Sequence, residues 1–373
     1  HYHSVVHVLD ASRSVGVVST LLSEDGKPAF MKQTLADYEV LREKHVNRGE
    51  AKKLLPYKDA VSKGFQCDWS TQAIAIPEFT GTRVIEDLSL SELVPFIDWS
   101  PFFHTWEMRG HYPAIFEDEY VGEECKKLFA EAQILLSQIT EEKAFKASGV
   151  YGFFPANSVG GDIEVYADTD RSEVVTTFHM LRQQMVKKDK PNYSLADFIA
   201  PKESGRIDYI GGFVVTAGHG ADEYAKDFAD ALDDYSSIMA KALADRLAEA
   251  FAEYLHKRVR DEWGFGSDEA LSKDDLIRER YRGIRPAGGY PSSPDHTEKI
   301  TLFDLLDATN VSGVKLTESC AMHPGASVSG LYFAHPDSRY FAVGKVGKDQ
   351  IEDYAQRKGK PVDYIERWLS PNL

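Results

Sequence analysis

Between Arg285 and Lys299 the chain reads Arg-Pro-Ala-Gly-Gly-Tyr-Pro-Ser-Ser-Pro-Asp-His-Thr-Glu-Lys. Three prolines and two glycines in this stretch exclude a helix interior or a central strand. Proline lacks the N–H that either ladder needs, and glycine loses the most backbone freedom on ordering. The segment must be a loop of fixed shape. Its glycines let backbone approach a partner closely, and Arg285 carries a planar fork of donors suited to a carboxylate or phosphate. A rigid connector between helices would have the same composition, so the loop alone leaves scaffold and binding site both open.

At 373 residues the chain can bury a large core and has room for two or three domains. It contains no apolar run of about 18 residues, which argues against a membrane span, and no secretory signal at its start. Cys67, Cys125 and Cys320 are far apart and odd in number, which fits a reducing cytosol rather than a disulfide framework or a zinc site. The net charge of −16 argues against nucleic acid as a partner. It leaves room for an acidic protein partner held by a local basic patch, with candidates at Lys52-Lys53 and Arg278, Arg280 and Arg282.

Periodicity sets the expected elements. A short apolar run over residues 3–10 reads as a strand, followed by a helix opening near Ala11. Asp118–Lys146 suits a long amphipathic helix. Gly149–Tyr166 alternates around Gly160-Gly161 and predicts a hairpin, and Asp208–Ala217 predicts a strand. The longest helix is expected over Glu223–Glu262, with Asp245 and Glu249 spaced i,i+4 on one face. Ser327–Phe333 and Tyr340–Val346 alternate on either side of His335-Pro-Asp-Ser338 and predict a terminal hairpin. A helix over Lys348–Lys358 and a short one ending at Trp368 close the chain. Strands separated by helices without βαβ regularity favour an α+β fold with an antiparallel sheet and long helices.

Chemistry-bearing motifs are few. His296 has no second His or Cys at metal-ligand spacing, since His323 and His335 lie in other elements, so no metal site is expected. No G-x-G-x-x-G or P-loop pattern is present, and no Ser-His-Asp or Cys-His constellation stands out.

The order Arg-x-x-x-Gly-Tyr-Pro followed by Pro-Asp-His-Thr-Glu-Lys resembles the S-adenosylmethionine-binding loop of cobalamin-dependent methionine synthases. Further segments resemble the C-terminal reactivation domain of that family and fall in its order. They are Asp98-Trp-Ser-Pro-Phe-Phe103, Gly152-Phe-Phe-Pro-Ala-Asn157, Leu195-Ala-Asp-Phe-Ile-Ala-Pro201, Asp234-Tyr-Ser-Ser-Ile-Met239, Leu316-Thr-Glu-Ser319 and His335-Pro-Asp-Ser338. The resemblance implies a single curved, helmet-like domain over residues 26–373. Residues 1–25 would be a strand–helix stub of the cobalamin-binding domain that precedes it.

It also implies roles. Arg285 would serve the ligand carboxylate and Asp98 its ammonium, although Asp98 also reads as the cap of a turn at Trp99-Ser-Pro. Ala287 to Gly289 would offer backbone to the purine beside Tyr290, with Tyr340 and Phe341 bordering the ligand. Glu249 and Glu279 match family glutamates near the pocket, and Asp245 matches a carboxylate facing the cobalamin domain. No side chain is expected to act as a catalytic base. The implied activity is part of a methyltransferase: S-adenosylmethionine is held against inactive cob(II)alamin for reductive methylation, in support of methionine biosynthesis. Cobalamin would be bound by the neighbouring domain and zinc only elsewhere in the full enzyme. The electron would come from flavodoxin or a methionine synthase reductase-like flavoprotein. The isolated fragment would bind ligand without turnover, in the cytoplasm. Two other readings stay open at this level: a docking module for a flavoprotein with the loop vestigial, and a free-standing S-adenosylmethionine-dependent methyltransferase.

Overall fold

Helical and two-residue periodicities alternate along the chain, and the elements follow them. The structure, a computed structural model, describes the chain except residues 1–5, 7–10, 24, 51–52, 268, 270, 273–274 and 277. The chain divides into two compact units, His1–Leu55 and Pro56–Leu373. The first contains helices α1 (Ala11–Leu22) and α2 (Gly26–Glu50). The strand expected over 3–10 lies outside the described residues apart from Val6.

The second unit opens with α3 (Tyr57–Ser62), β1 (Gly81–Leu88), α4 (Leu90–Leu93), α5 (Ser100–Thr105) and α6 (Gly122–Glu142). Strands β2 (Lys146–Val159), β3 (Asp162–Tyr166), β4 (Val174–His179) and β5 (Asp208–His219) follow. Then come α7 (Ala221–Asp230), α8 (Asp234–Glu262), α9 (Glu298–Leu306) and α10 (Ala308–Ser312). Short strands β6 (Lys315–Leu316) and β7 (Met322–His323) precede β8 (Ser327–Tyr332), and α11 (Lys348–Lys358) and α12 (Val362–Trp368) end the chain. Among the described residues no helix is long and apolar enough to cross a membrane.

The main sheet is six-stranded and antiparallel, in the order β4-β3-β2-β5-β8, with β1 also paired to β2. The expected hairpin around Gly160-Gly161 joins β2 to β3. Both faces of the sheet are covered, so β5 is buried along almost its whole length. Alternation sorts its side chains. Phe213 and Val215 pack with Leu243, Leu247 and Phe251 of α8. Ile210 and Val214 pack with Leu302, Phe303 and Leu306 of α9. Each large side chain buried in this way contributes about 1.5–3 kcal/mol.

Two sequence expectations need correction. The helix read over Glu223–Glu262 is two helices, broken at residues 231–233 without glycine or proline. Leu232 takes a left-handed φ of 63°, and the Asp233 side chain accepts the Ser236 N–H at 3.0 Å to cap α8. The predicted terminal hairpin does not form. Ser327–Tyr332 is a strand, but residues 340–346 have no strand partner. Their N–H groups are drawn elsewhere: Val343 donates to Pro291 O at 2.8 Å and Val346 to Asn372 O at 2.9 Å. The free edge of β8 instead meets the loop segment 284–286, through the Ile284–Phe333 bridge and the Leu331 N–H donated to Pro286 O at 2.9 Å.

A buried charge network anchors the other end of that loop. Lys358 of α11 donates to Asp295 Oδ2 and Glu298 Oε1, both at 2.5 Å, and to Thr297 Oγ1 at 2.7 Å. Burial pushes the Glu298 carboxyl up. Burial acts on Asp295 in the same sense, but Lys358 and Thr297 outweigh it and hold that carboxyl below its ordinary value. Removing one member of such a group leaves uncompensated buried charge. Lys358→Met should therefore lower unfolding free energy by about 3–5 kcal/mol in urea denaturation. A loss below about 1 kcal/mol would show that the network carries little of the fold's stability.

Candidate functional site

The long helix α8 carries Asp245, Glu249 and Glu253 at successive i,i+4 steps, so the three carboxylates lie along one stripe. Arg285 reaches this stripe from the loop. Its Nη2 pairs with Glu253 Oε1. Its Nη1 donates to Tyr281 Oη at 2.7 Å and lies 3.1 Å from His256 Nδ1. A guanidinium only donates, so Nδ1 must accept, and His256 is the neutral imidazole with its proton on Nε2. Complete burial enforces this, with Arg285 and Arg260 adding to it, and holds His256 well below its ordinary pKa. Burial opposes the Arg285 charge as well, but Glu253 and the phenol oxygens of Tyr281 and Tyr340 more than offset it. The Arg285 backbone N–H donates to Tyr340 Oη at 3.0 Å.

Beside this group lies a cavity of about 710 Å³. Of the residues singled out in the sequence, Glu249, Glu279, Arg285, Ala287 and Tyr290 line it, as do Tyr340 and Phe341. A second cavity of about 370 Å³ is lined by Asp98, Glu253 and Arg246, and Glu249 and Glu279 line both. The two hollows thus share a wall of two carboxylates. The Asp98 Oδ1 accepts the Ser100 N–H at 2.9 Å at the start of α5, as expected of a turn cap, and the residue also lines the second cavity. Asp245 lines neither and stands exposed one turn before Glu249.

Gly289 is not itself a lining residue, but it shapes the loop. Its φ of +91° is left-handed, and a Cβ there would stand 2.2 Å from the His296 ring. Only glycine fits. Its N–H donates to Ser293 O at 2.7 Å and closes the turn that sets Tyr290, 62% exposed, at the mouth of the hollow.

Sequence reasoning missed Glu253, His256 and Tyr281. Glu253 was within reach, being one helical turn beyond Glu249. Nor does the sequence show that Arg285 is buried: its side chain is only 14% exposed and ion-paired. The reason is sequence distance: Glu253 lies 32 residues away. Among the described residues no group of three or more His, Cys, Asp or Glu is placed to hold a metal ion.

This arrangement suits a ligand with a carboxylate, a cationic group and a flat apolar part. Residues 89–359 match the family described as "Vitamin B12 dependent methionine synthase, activation domain". Among solved structures, the MetH reactivation domain bound to AdoHcy (S-adenosylhomocysteine) is similar at 52% identity, with a TM-score of 0.84. The match covers 86% of this chain and 98% of that one.

The burial of Arg285 has a measurable consequence. Arg285→Ala leaves Glu253 buried without its counter-charge, so the variant should be destabilised by about 3–5 kcal/mol in chemical denaturation. Wild-type stability would mean that Arg285 is a free surface charge.

Proposed function

Because this chain belongs to the activation-domain family of vitamin B12-dependent methionine synthase, we propose that its paired cavities bind S-adenosylmethionine and present the methyl group for reductive methylation of cobalamin. The observation that carries this reading is the meeting of the Arg285 loop with a carboxylate-lined wall shared by two adjoining cavities. The ligand's amino-acid end needs opposite charges side by side. Arg285 supplies the guanidinium. Asp98, with Glu249 and Glu279 between the cavities, supplies acceptors for the ammonium and a favourable field for the sulfonium. The strip Ala287–Gly289 offers uncovered backbone to the adenosyl group, and Tyr290 and Tyr340 flank it.

Methyl transfer of this kind needs no base from this chain. Cobalamin, which the neighbouring domain would hold, would supply the methyl acceptor after gaining one electron from a flavoprotein, and S-adenosylhomocysteine would remain in this chain's site. The work of this chain is positioning and exclusion of water. Asp245, exposed one turn from Glu249, would face the cobalamin domain beside the site. The isolated chain should bind ligand without turnover.

An acidic flavoprotein would need a local basic patch on this acidic chain. Arg278 and Arg280 are exposed. Arg282 is less suited, because its Nε donates to Ala334 O at 2.8 Å and its guanidinium lies over Phe265. Lys53 is exposed, while Lys52 lies outside the described residues.

Calorimetry with S-adenosylmethionine should show one site per chain. Asp98→Asn, which keeps the contact to Ser100, should weaken binding by about 1.5–3 kcal/mol with little change in melting temperature. Equal affinities would remove Asp98 from the site. In the full-length enzyme, Arg278→Glu combined with Arg280→Glu should slow reductive methylation in a salt-dependent way and leave ligand affinity unchanged. Equal rates across a salt series would place the docking patch elsewhere.

A further inference from the structure

We propose that a third hollow, walled by α9, the β6–β7 ribbon and α12, binds a free α-amino acid with a bulky apolar side chain. Its volume is about 600 Å³, and it shares no lining residue with either cavity described above. Helical spacing builds two of its walls. Ile300, Phe303 and Asp304 stand at i, i+3 and i+4 on α9, and Tyr364, Arg367 and Trp368 repeat that spacing on α12. The ribbon supplies the third wall with Lys315, Leu316 and Glu318. Its turn is fixed. The Thr317 N–H donates to Ala321 O at 2.8 Å, and Lys299 Nζ of α9 donates to Cys320 O at 2.9 Å.

The charges in this hollow are unpaired. Lys315 and Arg367 are exposed, as are Asp304 and Glu318, yet among the described residues none of the four makes an ion pair. Opposite charges thus line one hollow without closing on each other. The apolar surface lies among them. Phe303 is buried, and Tyr364 and Trp368 are half-buried with ring centroids 6.4 Å apart. Trp368 Nε1 is itself buried and has no hydrogen-bond partner among the described residues. A buried indole N–H ordinarily finds an acceptor.

An α-amino acid completes this set. Its carboxylate takes charge-assisted hydrogen bonds from Arg367 and Lys315 and accepts the Trp368 N–H. Its ammonium faces Asp304 and Glu318, and its side chain packs against Phe303 and Tyr364. A simple anion would be opposed by the two carboxylates, and a simple cation by the two basic groups. An uncharged apolar molecule would desolvate all four charges without replacing their water. The volume lies in the range of small-molecule sites.

The test is calorimetry with L-phenylalanine and L-methionine on the whole chain, with and without saturating S-adenosylhomocysteine. Both amino acids should bind about tenfold or more tightly than L-alanine, because a large apolar side chain leaves water. N-acetyl-L-phenylalanine and L-phenylalaninamide each lack one charge and should bind about tenfold more weakly than L-phenylalanine. Lys315→Gln combined with Arg367→Gln should weaken L-phenylalanine by about tenfold or more. Both residues are exposed, so the double variant should melt as wild type does. S-adenosylhomocysteine should leave amino-acid binding unchanged. Absence of binding by both amino acids up to about 10 mM overturns the proposal. So does unchanged affinity in the double variant. Binding abolished by S-adenosylhomocysteine also overturns it, since the amino acid would then sit beside Arg285. If S-adenosylhomocysteine itself fails to bind, the function proposed above fails separately. The double variant then decides this proposal, because Lys315 and Arg367 lie outside the site beside Arg285.

Discussion

The buried ion pair between Arg285 and Glu253 joins the ligand loop to the longest helix, and the geometry of the site depends on it. An arginine taken out of water must be matched in charge and in hydrogen bonds. Here Glu253 provides the charge and takes one Nη2 N–H, while Tyr281 and the neutral His256 take both Nη1 N–H groups, which leaves the Nε and second Nη2 donors for a ligand. The guanidinium is thereby held in one orientation before any ligand arrives. Such preorganisation reduces the ordering cost of binding. Glu253 Oε2 is buried without a hydrogen-bond partner among the described residues, and Glu253 lines the same cavity as Asp98. One glutamate thus fixes the arginine and contributes to the acidic wall.

The loop is clamped at both ends. At its start, backbone pairing to β8 continues the central sheet for a few residues beyond its last strand. At its finish, Asp295 and Glu298 close on Lys358. Between these anchors the strip 287–289 is supported from below by His296 and Lys299. A proline- and glycine-rich segment is therefore rigid here through its neighbours as well as its composition.

How much of this was legible in the sequence depended on whether the signal was local. The loop announced itself, because prolines and glycines restrict the backbone wherever they fall. The helix over Lys348–Lys358 and the turn at Gly160-Gly161 were equally plain. Tyr340–Val346 alternates as a strand does, yet periodicity says nothing about which carbonyl takes each N–H. Pro291 and Asn372 won that competition. The break between α7 and α8 has no glycine or proline to mark it. It rests on Leu232 adopting a left-handed φ and on Asp233 capping the next helix. At the site, Arg285 and the carboxylates of the wall could be named from the resemblance. The burial of Arg285 could not, because its partners come from a different element.

The central claim is that the paired cavities hold the amino-acid end of S-adenosylmethionine between Arg285 and the acidic wall. A crystal structure of the chain soaked with S-adenosylhomocysteine tests it most directly. The account predicts the ligand carboxylate within hydrogen-bonding distance of the Arg285 guanidinium and the ammonium facing Asp98 and its neighbouring glutamates. A ligand bound away from Arg285, or with its ammonium turned to solvent and its base among the carboxylates, would contradict it.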